Sequence, residues 1–191
     1  MKFMESVLLV VSVVGISVVL GYPAEPPITF SAVSTTTQSP RKGPIDPNHV
    51  PESVCNNMLP IHGDFAPSND PPPYEIKVST NKVAPGEKVT VTVIGKENAD
   101  FKGLYIQGRI NDIPEGQFED PNHPKIRVNN CPPGEKNAAS YISSAVPTKE
   151  VKLDWTAPNA PGKEVVFRAT LVKNFSVFWV GVVSEPVKIQ G

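Results

Sequence analysis

The sequence predicts an all-β protein built as an antiparallel two-sheet sandwich, and three observations support this fold class. Apolar residues occur at every second position in several short segments, which is the pattern of strands with one buried face. The chain contains 22 prolines, which disfavour long helices. No window of a dozen residues shows the 3.6-residue period of a helix, so we expect about seven to nine short strands in one domain.

The first two expected strands lie on either side of a turn. Their apolar positions are Tyr74, Ile76 and Val78, followed by Val89, Val91 and Val93. Between them, residues 84–86 read Ala-Pro-Gly, where proline presets the φ of a turn and glycine accepts a positive φ. Each strand therefore has one buried face.

Further segments with strand patterns continue to the C terminus. Their apolar positions are Leu104, Ile106 and Ile110; Phe118; Ile126 and Val128; Val151, Leu153 and Trp155; Val165, Phe167, Ala169 and Leu171; Phe178, Val180 and Val182; and Val187 and Ile189. Gly103 and Gly108 interrupt the first of these segments and indicate a bulge or a close approach of another group to the backbone.

The N terminus has the features of an export signal. Residues 7–20 form an almost unbroken apolar run behind Lys2, and Val19 and Gly21 offer small residues for cleavage after Gly21. The alternative is a membrane anchor, but the run is shorter than the roughly 20 apolar residues of a spanning helix. We therefore expect a signal peptide over 1–21, a secreted, extracellular protein, and no membrane span in the mature chain.

The next segment, residues 22–51, is rich in Pro, Ser and Thr and poor in large apolar residues. Such a composition cannot bury enough surface to offset the entropy of ordering, so it predicts an extended, largely disordered lead. The folded domain is then expected over 52–191.

Charge and motifs argue against several classes of function. The formal net charge is −1, with 18 Lys and Arg against 19 Asp and Glu and no block of like charge, which disfavours nucleic acid as a partner. The three histidines, His49, His62 and His123, lack metal-ligand spacing, and no hydrolase or phosphate-loop motif occurs. We therefore expect no enzyme, no catalytic residue, no metal and no cofactor.

Two cysteines, Cys55 and Cys131, occur in a chain that is expected to leave the reducing cytosol. A disulfide is the default interpretation and would contribute about 4 kcal/mol in the chain-entropy model, whereas two free thiols are the alternative. Cys55 precedes the first strand and Cys131 lies in a loop, so the Cys–Trp–Cys pattern of antibody domains is missing. The topology is immunoglobulin-like at most.

Several short motifs follow one another from Val54 to about Ile189. They are CNNMLPIHG at 55–63, PPPYEIKVS at 71–79, PGEKVTVTV at 85–93, FKGL at 101–104 with Gln107 and Arg109, NC at 130–131, WTAP at 155–158, FRAT at 167–170 and FWVGV at 178–182. Their order resembles the reeler (reelin-type) domain. The resemblance implies an immunoglobulin-like antiparallel β-sandwich in which the counterparts of Cys55 and Cys131 pair. Many relatives carry Thr-His shortly after the second cysteine, where this chain has Tyr141 instead of the imidazole.

A signal peptide followed by one such domain is similar to the small secreted defence proteins of insects. The resemblance implies an innate-immune defence protein that binds microbial surface components, such as lipopolysaccharide, with an antimicrobial or nodulation-promoting effect. The alternative is an extracellular adhesion or matrix module that binds host extracellular proteins.

Two surface features are candidate sites. Residues 174–176 read Asn-Phe-Ser, an N-glycosylation sequon at Asn174. Trp179 is out of phase with Phe178 and Val180, so Trp179, Val177 and Val183 are expected to form an exposed contact stripe, unless the strand is buried on both faces. Trp155 alternates with the apolar set and is expected in the core.

Overall fold

The computed structural model describes Pro51 and residues 53–142 and 146–191. The expected signal peptide over 1–21 and all of the lead before Pro51 lie outside the described residues. The described chain contains one short helix, α1 (Val54–Asn57), and a 3₁₀ turn at Lys96–Asn98. Its twelve strands are β1 (Tyr74–Val78), β2 (Lys82–Val83), β3 (Lys88–Gly95), β4 (Gly103–Ile110), β5 (Ile113–Pro114), β6 (Gln117–Phe118), β7 (Ile126–Asn129), β8 (Ala138–Ile142), β9 (Glu150–Thr156), β10 (Glu164–Asn174), β11 (Val177–Val183) and β12 (Val187–Ile189).

The strands form two sheets. The smaller sheet has the order β1-β3-β9-β6, and the larger has the order β2-β12-β10-β4-β8-β7, with β11 also paired to β10 and β5 to β4. Every named strand pair is antiparallel except β12 with β2. The predicted antiparallel sandwich is therefore confirmed.

The space between the sheets is filled by the alternating apolar positions. Trp155 of β9 is fully buried, and its ring meets that of Phe167 on β10 edge to face at 5.2 Å. A Cβ at Gly108 would lie 2.9 Å from the indole nitrogen of Trp155. The glycine thus allows the indole to approach β4, which confirms the expectation of a close approach and places Trp155 in the core.

Three strands are absent from the sequence-based prediction: β2, β5 and β8. The longest is β8, which reads Ala-Ala-Ser-Tyr-Ile and lies between β4 and β7, with its first four residues buried. Because a strand covered on both faces has no polar face, it shows no alternation. Alanine and serine are also weak strand formers, so no local signal marks this central strand.

The outer face of the larger sheet is covered as well. Side chains of β4 alternate between two layers: Leu104 and Ile106 pack between the sheets, and Tyr105 packs outward beneath α1. The same outer layer holds Met58 and both cysteines. The chain from α1 to Ser68, here called the N-terminal segment, therefore forms a third layer over β4, β10 and β11.

Candidate functional site

The three residues of the predicted contact stripe do not share a surface. Trp179 is only 7% exposed, its ring packs edge to face on Tyr74 at 5.4 Å, and its Nε1 donates to the carbonyl of Asp70 at 3.0 Å. Val177 is half-buried against the core. Val183 alone of the three is well exposed, at 56%. The prediction of an exposed stripe through Trp179 is therefore wrong.

A bulge at Gly181 explains this error. The pairing of β10 with β11 shifts register between Ala169, opposite Val182, and Thr170, opposite Val180. Gly181 takes φ +81 at the extra position, a conformation that favours glycine. Because the extra residue resets the alternation, Trp179 and Val182 both face the core.

The other side of β11 is covered by the N-terminal segment. Val180 packs against the outer layer that contains both cysteines, and the fully buried Phe178 meets the ring of His62 at 5.4 Å. The carbonyl of Phe178 accepts a hydrogen bond from the backbone N–H of Ser68 at 2.8 Å. The alternative interpretation, a strand buried on both faces, is the correct one for the middle of β11.

Val183 lies between two adjoining grooves. The first groove, here called the cationic groove, has a volume of about 670 Å³. Its charged lining residues are Arg109, Lys163, Arg168 and Lys188 with Asp112 and Glu164. Four cations against two carboxylates leave this groove with an excess of positive charge, although the chain as a whole carries −1.

Asp112 offsets the two arginines only in part. Its Oδ1 lies 2.7 Å from Arg109 and 3.3 Å from Arg168. The hydrogen bond from Arg109 is the main cause that holds the pKa of Asp112 below its ordinary value. Arg168 Nε is buried without a hydrogen-bond partner in the described residues, and within the same ranges neither Lys163 nor Lys188 forms an ion pair. The exposed ammonium groups of Lys163 and Lys188 are therefore available as donors for an anion.

The second groove, here called the apolar groove, has a volume of about 630 Å³ and shares Gly181 and Val183 with the first. Its apolar lining residues are Pro72, Tyr74, Ile76, Val78, Val182 and Val183. Lys77 and Glu75 form an ion pair of 2.9 Å at its side, and the carboxylate of Glu185 also lines it. The two grooves together offer a positively charged surface continuous with an apolar one.

The motif residues Gln107 and Arg109 hold the N-terminal segment in place. Gln107 Nε2 donates to the Cys55 carbonyl at 3.0 Å, and Arg109 Nη2 donates to the same carbonyl at 2.8 Å. Arg109 also donates to the carbonyl of Asn56 at 3.2 Å and to Gln107 Oε1 at 2.7 Å. Both side chains are buried, so this network satisfies carbonyls of α1 that the short helix leaves open.

The disulfide lies in the same layer. Cys55 and Cys131, 76 positions apart, are bonded, and the Tyr105 hydroxyl lies 3.0 Å from Cys131 Sγ. Burial raises the pKa of Tyr105 above its ordinary value. The paired cysteines and the polar network thus fasten one segment to the sheet from two sides.

His62 and Tyr141 both pack as aromatic rings. His62 stacks on Phe175 with ring centroids 4.8 Å apart, and burial lowers its pKa. Tyr141 is buried, and its hydroxyl donates to the carbonyl of Val146 at 3.0 Å. The described residues hold no group of three or more His, Cys, Asp and Glu side chains placed to bind a metal ion.

Sequence reasoning missed the basic residues of the cationic groove. Arg168 stands within the FRAT motif, but Lys163 and Lys188 carry no local signal, because they come together only through the pairing of β10 with β12. Among the described helices, none has the length and apolar character needed to cross a membrane.

Comparison with known sequences gives consistent matches. A family model described as "Reeler domain" matches residues 53–191. A "Putative defense protein" of Locusta migratoria is 40% identical over 144 residues, which cover 73% of this chain and 79% of that protein. A protein of Bombyx mori with the same name is 38% identical over 143 residues, which cover 73% and 83%. A "Putative ferric-chelate reductase 1 homolog" of Drosophila melanogaster is 35% identical over 156 residues, and the match spans 78% of this chain but 24% of that protein.

Solved structures agree with this assignment at the level of the fold. The human F-spondin reeler domain superposes with a TM-score of 0.55 at 17% identity, covering 71% of this chain and 100% of that one. The reelin-N domain of F-spondin superposes with a TM-score of 0.54 at 16% identity, covering 66% and 93%. The motif order, the sandwich and the family match agree, and the chain belongs to the reeler domain family.

Proposed function

We propose that this protein is a secreted, extracellular defence protein that binds anionic amphiphiles of microbial envelopes, such as lipopolysaccharide. The observation that carries the proposal is the cationic groove, which continues into an apolar groove at Gly181 and Val183. Relatives named defence proteins, at 38% and 40% identity, support the same class of role. The proposed activity is binding without turnover.

The charges of the groove suit phosphate groups. Arg168, Lys163 and Lys188 can each donate to a phosphate oxygen, and such charge-assisted hydrogen bonds are about twice as strong as neutral ones. The exposed side chain of Val183 would then contact the first apolar part of the ligand, beside Ile76. Because the groove is open to water, salt should weaken the charged part of the contact and leave the apolar part.

The test is retention of the purified protein on intact bacteria and on isolated lipopolysaccharide across a salt series. The double variant Lys163→Gln/Lys188→Gln is expected to lose at least tenfold in affinity. A matched control is Lys136→Gln/Lys149→Gln, which removes two exposed lysines that do not line either groove. The control should bind as the wild type does.

Two outcomes would contradict the proposal. Equal binding by both double variants would show that the cationic groove does not bind the ligand. If the wild type is retained no better than a domain of equal size and charge, microbial binding itself is wrong, and host extracellular proteins become the partners to test. Secretion is checked separately: the full chain expressed in insect cells should appear in the medium with its N terminus at Tyr22.

A further inference from the structure

We infer that Asn174 carries an N-linked glycan whose first sugar packs on an exposed apolar cluster formed by Phe65 and Phe175, here called the tip cluster. The inference rests on entry into the secretory pathway, which is part of the proposed function, but not on microbial binding. The tip cluster shares no residue with the cationic or the apolar groove.

The sequon forms the turn of the β10–β11 hairpin. Asn174 is the last residue of β10, and Val177 is the first of β11. The side-chain oxygen of Asn174 accepts three hydrogen bonds, from the backbone N–H of Ser176 at 3.0 Å, the Ser176 hydroxyl at 3.1 Å and the backbone N–H of Val177 at 3.0 Å. These bonds fix the carboxamide, and its Nδ2 has no protein partner within the described chain. The nitrogen that would be modified is thus exposed and oriented.

The tip cluster is an unusual surface for a water-exposed hairpin. Phe65 is 50% exposed and Phe175 is 61% exposed. The two rings do not pack away from water: Phe175 stacks on His62 at 4.8 Å, and Phe65 meets Phe175 edge to face at 5.7 Å, yet each phenylalanine keeps half or more of its surface exposed. Exposed apolar side chains that lie together mark a contact surface, whereas single exposed apolar residues are common on any protein.

Position identifies the sugar as what contacts this surface. Phe175 directly follows Asn174 in the same turn and is exposed, so its ring is within reach of a sugar on Nδ2. A pyranose presents apolar C–H groups on its faces and hydroxyls around its rim. It can therefore cover aromatic carbon while its hydroxyls stay in water. The fixed carboxamide limits the directions that the first sugar can take, which favours one packed arrangement over a freely moving chain.

The modification is a simple group transfer. The Asn174 Nδ2 attacks C1 of the reducing-end sugar of a lipid-linked oligosaccharide pyrophosphate. The new bond is N–C1, the bond from C1 to the pyrophosphate oxygen breaks, the lipid pyrophosphate leaves with the electron pair, and the amide nitrogen releases one proton to the solvent. No oxidant or reductant is needed.

The first experiment asks whether the glycan is present. The full chain is expressed in insect cells behind an added export signal, so that entry into the pathway does not depend on residues 1–21. The intact mass is expected to exceed the sequence mass by one oligosaccharide and to fall after treatment with a peptide N-glycosidase. Asn174→Gln and Ser176→Ala should each lack the added mass, and Ser176→Thr should keep it. A secreted wild type without added mass would overturn the inference.

The second experiment asks whether the sugar covers the tip cluster. The probe is a dye that fluoresces on exposed apolar surface. Fluorescence is expected to rise severalfold when the glycan is removed, and the rise should vanish in Phe65→Ser/Phe175→Ser. The matched control Ile113→Ser removes an exposed isoleucine elsewhere and should leave the rise intact. Equal fluorescence with and without glycan would show that the sugar does not pack on the cluster.

The same protein samples test the proposed function independently. Retention of Asn174→Gln on lipopolysaccharide should match the wild type, because the sequon lies outside both grooves. Loss of retention by Lys163→Gln/Lys188→Gln should likewise leave the added mass unchanged. Each idea can therefore fail without the other.

Discussion

The two faces of β4 support the fold in different ways. Toward the smaller sheet, Leu104 and Ile106 join an apolar core in which shape and volume determine the energy. Toward the N-terminal segment, Gln107 and Arg109 are as deeply buried but are held by hydrogen bonds to backbone carbonyls. A single strand thus has a dry apolar layer on one side and a fully partnered polar layer on the other.

This difference has an energetic consequence. In the inner layer, a lost side chain removes apolar contacts and leaves a cavity. In the outer layer, loss of Arg109 leaves the carbonyl of Asn56 without its side-chain donor and the carbonyl of Cys55 with one such donor instead of two, and the network members depend on one another. Substitutions in the inner layer should therefore change stability according to the side-chain volume that is lost. Substitutions in the outer layer should change it according to the hydrogen-bond partners that are lost.

The largest effect is expected from Trp155→Ala. The indole is fully buried, packs on Phe167 and donates from Nε1 to the carbonyl of Glu115 at 3.0 Å. Its removal should lower the free energy of unfolding by about 3–5 kcal/mol. Chemical denaturation followed by far-ultraviolet circular dichroism measures this change. Trp155→Phe keeps more volume and should cost less, and equal losses for both variants would contradict a volume-controlled inner layer.

The second effect is loss of the disulfide, in Cys55→Ser/Cys131→Ser. The bond closes a loop of 76 positions, and its removal should cost about 2–4 kcal/mol, chiefly because the unfolded chain gains freedom. The native-state fluorescence maximum of Trp155, measured in a Trp179→Phe background because the chain has two tryptophans, should not move, since the inner layer is unchanged. An unchanged denaturation midpoint would show that the disulfide does not contribute to stability and that the non-covalent contacts suffice to hold the N-terminal segment.

The two layers differ in how much of their structure could be predicted from the sequence. Alternation identified the inner layer almost completely, because each inner strand such as β3 places every second residue in one apolar space. The covering of the outer face was not visible, since it depends on a segment with no regular period. The same cause hid β8, and the one-residue bulge at Gly181 turned the expected stripe of Trp179 inward. Periodicity reports which residues share a face, but not what covers that face.

The cationic groove shows the same limit for function. Lys163 and Lys188 are close because β10 pairs with β12, a long-range contact that no short motif records. By contrast, the resemblance marked Gln107 and Arg109 as motif residues without giving their role. The structure assigns both to the anchoring of α1.

A third prediction tests pairing in the outer layer. Arg109→Met keeps much of the side-chain volume but removes the donors to Cys55 and Asn56, and should cost about 1–3 kcal/mol. The matched control is Arg127→Met, because Arg127 is exposed and donates only to nearby carbonyls on its own strand and loop. The control should change stability by less than about 0.5 kcal/mol. Equal losses of stability for Arg109→Met and Arg127→Met in thermal denaturation would mean that the buried network does not stabilise the fold.

The smallest effect is a pH dependence from His62, where the N-terminal segment meets Phe175 and Phe178. Burial lowers the pKa of this imidazole, so the unfolded chain binds the proton more readily than the native state. The contribution is therefore fully present above the unfolded pKa of about 6.5 and is lost as pH falls through the lower native value. Since the ring is only partly buried, the change should be on the order of a few tenths of a kcal/mol. Between pH 7.5 and 5, the denaturation midpoint of the wild type should fall more than that of His62→Phe. The control is His123→Gln, on an exposed loop outside this contact, whose midpoint should follow that of the wild type. Parallel curves for wild type and His62→Phe would show that protonation of His62 does not change the free energy of unfolding.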